Sequence, residues 1–334
     1  MRLNKSIVRI SVMVLLLAVA VGVCVAVLQE TENMPVTSAP RSTEDTIPET
    51  TEADVDWSRT VEQNGVLYQL NPSLKTILFL GADQGGTVLP GLAPGEGRRA
   101  DTIFLLLLDQ EKQETTLLAI SRDTITNVDA YDVNGDYTYT APTHINMQYF
   151  YGDSSARSCF LMKRTVSRLL YDMRIDGCFS LNAEGIVSIV NELGGITITM
   201  PADYTEIDPR YQEGAKLTLN GKETEHLLRH RDTSESGSNE QRVDRQVCLL
   251  KSLVQELQKN AGVQRMEELL RSAGDDVYSD LDAETLKMLL SYRLNPESYS
   301  LPGSVVEGED HDEFHVDESA LRKLLIELFY QPAG

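Results

Sequence analysis

Three short apolar stretches decide the fold: TILFLG at 76–81, TIFLLLL at 102–108 and TTLLAIS at 115–121. Runs that are apolar on both faces are typical of strands buried inside a sheet, because a half-exposed strand alternates apolar and polar residues. The polar segment 109–114 separates the second run from the third and predicts a hairpin. We therefore expect these runs to form the centre of a sheet.

Helical patterns follow the strands and predict the layers that cover the sheet. The segment NAEGIVSIVNEL at 182–193 starts with a capping Asn182 and stops at two glycines, and ITITM at 196–200 then predicts another strand. Similar spacing predicts helices over 159–173, 220–230, 241–259, 282–293 and 317–330. Interleaved strands and helices predict an α/β fold, an α-β-α sandwich with a central mixed sheet covered by helices on both faces.

The N-terminal segment predicts one transmembrane helix before this sandwich. Arg2, Lys5 and Arg9 precede the uncharged apolar stretch 10–28, which is long enough to cross a hydrocarbon core of about 30 Å. Basic residues before the stretch and acidic residues after it predict a cytoplasmic segment 1–9 and an exported remainder. The alternative is a cleaved signal peptide, whose apolar region usually has about 7 to 15 residues.

The next segment predicts a linker to one folded domain. From residue 29 to about 56 the chain is rich in Thr, Glu, Pro and Ser and has few large apolar residues, so it cannot bury enough surface to fold. Folding is expected to begin near Trp57 or Leu70. We therefore predict a flexible extracytoplasmic stalk at 29–69 and a single folded domain at 70–334.

Charge and cysteine usage exclude several classes of function. The net charge of −21 argues against nucleic acid and against adhesion to anionic lipid, because both would repel the chain. Three cysteines lie outside the predicted span, Cys159, Cys178 and Cys248, and their spacing does not suit a zinc site. Cys159 and Cys178 are either a disulfide or buried free thiols.

Arginines nevertheless cluster in one part of this acidic chain. The run HLLRHRDTSESGSNEQRVDRQ at 226–246 places Arg229 and Arg231 before a Ser/Gly-rich loop, and Arg242 and Arg245 after it. A guanidinium binds phosphate oxygens in a planar two-pronged geometry, so converging arginines suggest a phosphorylated ligand. The alternative is a solvated helix surface whose arginines pair with neighbouring carboxylates.

Charged residues also flank the three apolar strands. Asp83 follows the first strand, Arg98, Arg99 and Asp101 precede the second, and Arg122 and Asp123 follow the third. If the second strand is antiparallel to the other two, all three groups emerge at one edge of the sheet. Two carboxylates with converging arginines suit a metal-bridged pyrophosphate, with Asp83 and Asp101 as ligands of a hard cation. The alternative is that each Asp caps a turn or a strand end.

Seven motifs resemble, in order, those of the LytR-CpsA-Psr proteins, the wall glycopolymer transferases of mainly Gram-positive bacteria. They are LGAD, RRADT, LLAISRDT, THIN, NAEGIVSIVNELGGITITM, LNG followed by HLLRHRD, and RVDRQ, and they span about 76–254. The resemblance implies transfer of a glycopolymer, such as teichoic acid or capsule, from an undecaprenyl-pyrophosphate carrier to peptidoglycan. The acceptor is usually the 6-hydroxyl of N-acetylmuramic acid, and the product is a phosphodiester.

The resemblance also implies a location and roles for individual residues. The protein would be a single-pass protein of a Gram-positive cell membrane, with Asp83 and Asp101 holding Mg²⁺, or Mn²⁺ as an alternative. The groups that would bind the pyrophosphate are Arg99, Arg122, Arg229, Arg231, Arg242 and Gln246, with Arg245 as a lesser candidate. The apolar helix faces at 179–190 and 247–257 would either line a lipid channel or belong to the core.

The expected catalytic residues are Arg99, Arg122 and Asp123. Asp123 would either orient Arg122 or help deprotonate the incoming sugar hydroxyl, and we favour orientation because a carboxylate between basic groups is a weak base. Two other classes of function compete with the transferase. One is a non-catalytic envelope regulator that binds polyprenyl phosphates, and the other is a pyrophosphatase that releases the glycan to water.

The chain departs from the family pattern at two places. Asn239 stands roughly where the family has an acidic residue, which puts the role of a carboxylate there in doubt. The insert 84–98 is long and predicts a lid or an altered acceptor site. His144, in the THIN motif, is predicted to be a polar turn residue and not a base.

Overall fold

A computed structural model describes residues 60–82, 98–230, 238–260, 263–308 and 311–333. Contacts divide the chain into two units, Met1–Asp54 and Val55–Gly334, and all the described residues belong to the second. None of the helices in these ranges is both long and apolar enough to cross a membrane. The predicted transmembrane helix at 10–28 lies outside the described residues.

Fifteen strands and eight α-helices make up the described part of the chain. The strands are β1 Thr60–Gln63, β2 Val66–Leu70, β3 Leu74–Ala82, β4 Ala100–Asp109, β5 Glu114–Ile120, β6 Ile125–Tyr131, β7 Tyr137–His144, β8 Gly177–Leu181, β9 Ile196–Thr199, β10 Lys216–Leu219, β11 Val277–Ser279, β12 Arg293–Ser300, β13 Gly303–Val306, β14 Glu313–Val316 and β15 Tyr330–Pro332. The helices are α1 Met147–Phe150, α2 Ser155–Leu169, α3 Ala183–Glu192, α4 Gly221–Arg229, α5 Ser238–Asn260, α6 Val263–Ala273, α7 Ala283–Ser291 and α8 Glu318–Phe329.

The central sheet has six strands in the order β11-β8-β3-β4-β5-β12. Strand β4 is antiparallel to both β3 and β5, which is the condition for the flanking charged residues to emerge at one edge, whereas β8 is parallel to β3 and β12 is parallel to β5. The predicted mixed sheet is therefore confirmed. Because β3, β5 and β8 end at the edge where β4 begins, four chain segments meet there.

Helices cover both faces of this sheet, which confirms the predicted layers. On one face, residues such as Leu105 and Leu107 pack in a cluster with α2 and α8. On the other face, Phe104 and Leu106 pack in a cluster with α5 and α7. Both sets come from β4, which is buried along almost its whole length, and this explains its unbroken apolar sequence.

Capping residues fix several helix starts where the sequence indicated them. The side chain of Asn182 accepts a hydrogen bond from the Gly185 backbone N–H at the start of α3. Asn220 and Glu223 form a reciprocal capping box at the start of α4. Helix α2 instead runs from Ser155 to Leu169, so it begins and ends earlier than the predicted 159–173.

Several strands were not predicted, and two of them change a predicted boundary. Strands β1 and β2 pair with each other, and β2 also pairs with β15. The first strand in the described ranges therefore starts at Thr60, inside the segment 29–69 that was predicted to be a stalk. The β6–β7 and β13–β14 hairpins were also missed, although both lie beside the functional site.

The cysteines are free thiols, which decides between the two predicted alternatives. Cys159 on α2 and Cys178 on β8 are both buried in the core. Burial raises the pKa of Cys178 well above its ordinary value, and the neighbouring Cys159 raises it further. Cys178 is therefore protonated and acts as a small apolar side chain.

Candidate active site

A β-bulge at the sheet edge presents Asp101. Ala100 pairs with Ala82 and Thr102 pairs with Gly81, so Asp101 has no partner opposite it on β3. Bulges of this kind redirect a side chain. A Cβ at Gly81 would lie 2.9 Å from the Cβ of Thr102, so glycine permits the close approach of the two strands beside the bulge.

Two arginines converge on the Asp101 carboxylate. Nη1 of Arg122 lies 2.6 Å from Oδ1, and Nη2 of Arg242 lies 3.6 Å from Oδ2. Arg242 also donates a 2.7 Å hydrogen bond to the backbone carbonyl of Asp101. The predicted convergence at one sheet edge thus includes Asp101, Arg122 and Arg242, which come from β4, the turn after β5 and helix α5.

Asp123 pairs with the arginine that precedes it. Its Oδ1 lies 3.3 Å from Nε of Arg122, and its side chain is 12% exposed. The turn itself is held by a hydrogen bond from the Thr124 backbone N–H to the carbonyl of Ser121. Asp101 contacts Nη1 of the Arg122 guanidinium and Asp123 contacts its Nε, so carboxylates orient the guanidinium from two sides. This geometry suits the orienting role that we favour for Asp123.

A cavity of about 350 Å³ opens beside this group. Its polar lining includes Asp101, Arg122, Arg229, Arg242 and Gln246, and its apolar lining includes Phe79, Phe104, Leu181, Ile186, Leu249, Leu250 and Leu253. The volume is within the range of about 300–1,000 Å³ that is common for small-molecule sites. We call this space the apolar cavity.

Helix α5 gives the apolar cavity a charged end and an apolar end. Arg242 and Gln246 are four residues apart and so lie on one helix face, and that face continues through Leu249, Leu250 and Leu253. From Arg242 to Leu253 the helix rises roughly 16 Å at about 1.5 Å per residue. This change from polar to apolar side chains along one helix face suits an amphiphile with an anionic head and an apolar tail.

The other predicted phosphate-binding residues have different surroundings. Arg229 lines the apolar cavity, and its Nε lies 3.3 Å from the Glu225 carboxylate one helical turn earlier. Arg245 is buried against the Tyr204 ring, with its guanidinium carbon 5.1 Å from the ring centroid, and it donates to the carbonyl of His230. Burial lowers the pKa of Arg245. Its contacts are those of a packing residue.

Two predicted residues, Asp83 and Arg231, lie outside the described residues. Asp83 would directly follow Ala82, the last residue of β3. In the described ranges, no group of three or more His, Cys, Asp or Glu residues could hold a metal ion. The carboxylate of Asp101 is 29% exposed and lines the apolar cavity, so it is accessible to a cation that brings further oxygen ligands.

A second cavity, of about 280 Å³, adjoins the first at Arg122. We call it the polar cavity, and it is lined by Arg99, Arg122, Asp123, Thr143, His144, Asn146, Met147, His311 and Asp312. The structure thus brings Arg99 to this second cavity. His144, which was predicted to be a turn residue, is the last residue of β7 and lines this cavity, which is completed by residues 311 and 312.

Comparison with known proteins identifies the family. A model of the LytR_cpsA_psr family matches residues 25–325. The chain belongs to the LytR-CpsA-Psr family. The resemblance seen in the seven motifs is therefore confirmed, and the match extends well beyond their span at both ends.

Curated relatives in this family share about a quarter of their residues with the chain. It is 24% identical to polyisoprenyl-teichoic acid–peptidoglycan teichoic acid transferase TagU of Oceanobacillus iheyensis, over 73% of this chain and 69% of that protein. It is 26% identical to the corresponding TagV of Bacillus subtilis, over 62% of this chain and 49% of that protein. It is 25% identical to TagU of Enterococcus faecalis, over 65% of this chain and 65% of that protein. The chain thus spans between about half and two thirds of these relatives' lengths.

Solved LytR-CpsA-Psr structures have the same fold. TagU of Bacillus subtilis matches with a TM-score of 0.57 and 21% identity, over 77% of this chain and 95% of that chain. A structure described as TagT bound to LI-WTA matches with a TM-score of 0.56 and 20% identity, over 77% and 90% of the two chains. The mixed sheet with its helical layers is therefore the family fold.

Proposed function

We propose that the protein transfers a glycopolymer from an undecaprenyl-pyrophosphate carrier to peptidoglycan and forms a phosphodiester. The observation that carries the proposal is the order of side chains along the cavity face of helix α5. On this face Arg242 and Gln246 are followed by Leu249, Leu250 and Leu253. A polyprenyl pyrophosphate has the same order of properties, a doubly anionic head joined to a long apolar chain. The names of the curated relatives, as teichoic acid transferases, support a wall glycopolymer as the cargo.

The arginines at the head of the cavity would bind the pyrophosphate. Arg122 and Arg242 already share the Asp101 carboxylate, so their charges are held in place before any ligand arrives. Preorganised guanidinium groups stabilise the negative charge that develops on the leaving phosphate, and they do so without reorganisation during the reaction. Arg229 would extend this surface, and Arg99 would approach the same phosphates from the polar cavity. Arg231 is assigned the same role on the motif alone.

A divalent cation, Mg²⁺ or Mn²⁺, fits the donor atoms at this site. Mg²⁺ is commonly bound by one or two carboxylates, with substrate phosphates and water in the remaining positions. Asp101 offers a partly exposed carboxylate at the cavity, and Asp83 would be the second ligand. When bound, the cation would neutralise phosphate charge as a Lewis acid.

The transfer itself needs an acceptor hydroxyl and a leaving group. The 6-hydroxyl oxygen of an N-acetylmuramic acid residue would attack the phosphorus that carries the glycopolymer. The new P–O bond would form as the bond to the second phosphate breaks, which releases undecaprenyl phosphate. Predicted anchoring by the helix at 10–28 would keep the domain at the outer face of the cell membrane, where lipid carrier and peptidoglycan are both present.

A transfer assay tests this function against its two alternatives. Full-length protein in detergent is mixed with undecaprenyl-pyrophosphate-linked glycan and Mg²⁺, with and without soluble peptidoglycan oligomers, and the products are analysed by mass spectrometry. We expect a glycan–peptidoglycan phosphodiester that forms only with the acceptor. Glycan phosphate released at the same rate without the acceptor would instead identify a pyrophosphatase. Bound but unconverted lipid would identify a non-catalytic carrier protein.

A further inference from the structure

Backbone hydrogen bonds hold three segments together around the polar cavity. The Ile145 and Asn146 N–H groups donate to the carbonyls of Thr124 and Arg122, at 2.8 and 3.3 Å. From the other side, the Phe314 N–H donates to the carbonyl of Asp123 at 2.9 Å. The turn that carries Arg122 is therefore fixed to the end of β7 and to the start of β14, and the side chains between them are preorganised.

The hydrogen bond of His144 determines which ring nitrogen carries the hydrogen in the neutral imidazole. Nε2 of His144 lies 3.1 Å from the backbone carbonyl oxygen of Asp312. A carbonyl oxygen can only accept, so Nε2 must carry the hydrogen and donate it. In the neutral imidazole the lone pair is then on Nδ1, which is the form a proton acceptor requires. Among the described residues, none forms a hydrogen bond with this second nitrogen.

Arg122 connects this ring to the proposed reaction, because it lines both cavities. A phosphate bound by Arg122 can therefore be approached from the polar cavity while its lipid lies in the apolar cavity. In phosphoryl transfer the incoming and leaving oxygens are roughly in line on opposite sides of phosphorus. Two cavities that share one phosphate-binding arginine allow the acceptor and the lipid carrier to reach one phosphate from different cavities.

The lining of the polar cavity indicates the class of molecule that it binds. The charged and titratable groups around His144 are of both signs: Arg99, Arg122, Asp123, His311 and Asp312. Thr143 and Asn146 add neutral groups that can donate or accept. A lining that offers both hydrogen-bond donors and acceptors suits a polyhydroxylated ring. A volume of about 280 Å³ suits one sugar unit of a longer strand.

We infer that the polar cavity binds the acceptor sugar and that His144 removes the proton from its attacking hydroxyl. The inference rests on the proposed transferase function and assigns the acceptor side of that site. As the hydroxyl oxygen bonds to phosphorus, its proton moves to Nδ1 of His144, and undecaprenyl phosphate leaves with the electron pair of the broken P–O bond. The carbonyl of Asp312 stabilises the imidazolium through Nε2–H. Asp123 remains paired with Arg122 and orients it.

The test compares two histidine substitutions in the full-length protein. His144→Gln keeps an N–H donor for the Asp312 carbonyl but lacks a basic nitrogen. His315→Gln is the control, because His315 lies on β14, close in the chain to the Asp312 carbonyl, and pairs with Glu313 outside the cavity. Each protein is assayed with undecaprenyl-pyrophosphoryl N-acetylglucosamine as donor and peptidoglycan oligomers as acceptor. Donor binding is measured separately by quantifying the lipid that co-purifies with each variant.

We expect His144→Gln to transfer at least about 100-fold more slowly, the usual contribution of a general base, with donor binding unchanged. His315→Gln should transfer at the wild-type rate. A His144→Gln rate close to the wild-type rate overturns the inference, as does a loss of donor binding in that variant. If the wild-type protein itself forms no product, the proposed function fails.

Discussion

The Arg122 guanidinium donates a 2.6 Å hydrogen bond to the Asp101 carboxylate, and this contact joins the end of β5 to the start of the neighbouring strand β4. Both side chains line the apolar cavity, and they are 17% and 29% exposed. The pair therefore faces the ligand space with a positive and a negative group side by side. An anionic phosphate and a divalent cation can each find a partner there.

Removal of the Arg122 side chain should abolish transfer. We expect Arg122→Ala to lower the turnover number by about 10²–10³-fold, because one preorganised charge at the developing phosphate is lost. Arg122→Lys should recover only a small part of the rate, since an ammonium group cannot reproduce the two-pronged contact. The steady-state rate of phosphodiester formation provides the measurement.

A matched control separates this effect from general loss of charge. Arg210→Ala removes an arginine that pairs with Asp208 and Glu223 on the surface. It should leave the rate unchanged. Turnover retained by Arg122→Ala would refute the assignment of Arg122 as a phosphate-binding residue.

Replacement of Asp101 should weaken the metal dependence. Asp101→Asn keeps the size of the side chain but removes the charge that a hard cation requires. We expect the Mg²⁺ concentration for half-maximal activity to rise by on the order of tenfold or more. Loss of a residue that only hydrogen-bonds to a metal ligand already lowers metal affinity by about tenfold or more, and a direct ligand should matter at least as much. Asp123→Asn should lower the transfer rate but leave the Mg²⁺ concentration for half-maximal activity unchanged. The same metal titration for Asp101→Asn and wild type would show that Asp101 is not a ligand.

A buried ion pair should stabilise the hairpin that carries His144. Asp129 on β6 has a side chain that is 1% exposed, and Nη2 of Arg168 on α2 lies 2.9 Å from its Oδ2. Arg168→Ala leaves this carboxylate with the more distant Arg164, at 3.6 Å. We expect the free energy of unfolding to fall by about 3 kcal/mol in urea denaturation. Arg174→Ala, which removes an exposed arginine, should cost less than about 1 kcal/mol.

The same carboxylate predicts a pH dependence of stability. Burial alone would raise the pKa of Asp129, but hydrogen bonds from Arg168 and Thr140 and the charges of Arg168 and Arg164 outweigh it and lower the pKa. The unfolded value is about 3.9. The stabilisation is therefore complete above about pH 4 and is lost as the pH falls through the folded-state pKa. The stability difference between wild type and Asp129→Asn should shrink below about pH 4, and a constant difference would contradict this account.

A larger side chain in the apolar cavity should discriminate between lipid lengths. Leu228 is half-buried and lines this cavity, so Leu228→Trp reduces the space for an apolar chain without altering the arginines. We expect KM for an undecaprenyl donor to rise about tenfold, which corresponds to about 1.4 kcal/mol of lost binding. A short farnesyl donor should be affected less. Leu67→Trp, at an exposed residue of β2, is the control. Equal effects on both donors would place the lipid elsewhere.

The centre of the fold and part of the site could be predicted from the sequence. The runs around Leu78, Leu105 and Leu118 are buried on both faces, and only a strand inside a covered sheet needs apolar residues at every position. Charged residues that directly precede or follow such strands must lie at the edge of the sheet where the strands begin or end. The sequence therefore predicts that Asp101 and Arg122 lie together at this edge, and the structure places them in contact.

The rest depends on contacts between distant parts of the chain. The bulge at Asp101 arises from the register of β3 and β4, which residue types alone do not determine. The sequence around His144 does not indicate its hydrogen-bond partner, because the carbonyl of Asp312 is 168 positions away. The β6–β7 hairpin was missed because Tyr137 and its neighbours are polar or half-exposed and lack a clear strand pattern.

The pairing of β2 with β15 has a consequence for the order in which the domain can assemble during synthesis. Leu70 lies opposite Tyr330 and Tyr68 lies opposite Pro332, so strands from the two ends of the domain must meet. Domains emerge from the ribosome N-terminal end first, at roughly 5–20 residues per second. The β1–β2 hairpin is thus among the first segments to appear, yet one edge of β2 stays unpaired until the last strand is made. During that interval of tens of seconds, the nascent domain carries an open strand edge on which other chains can pair.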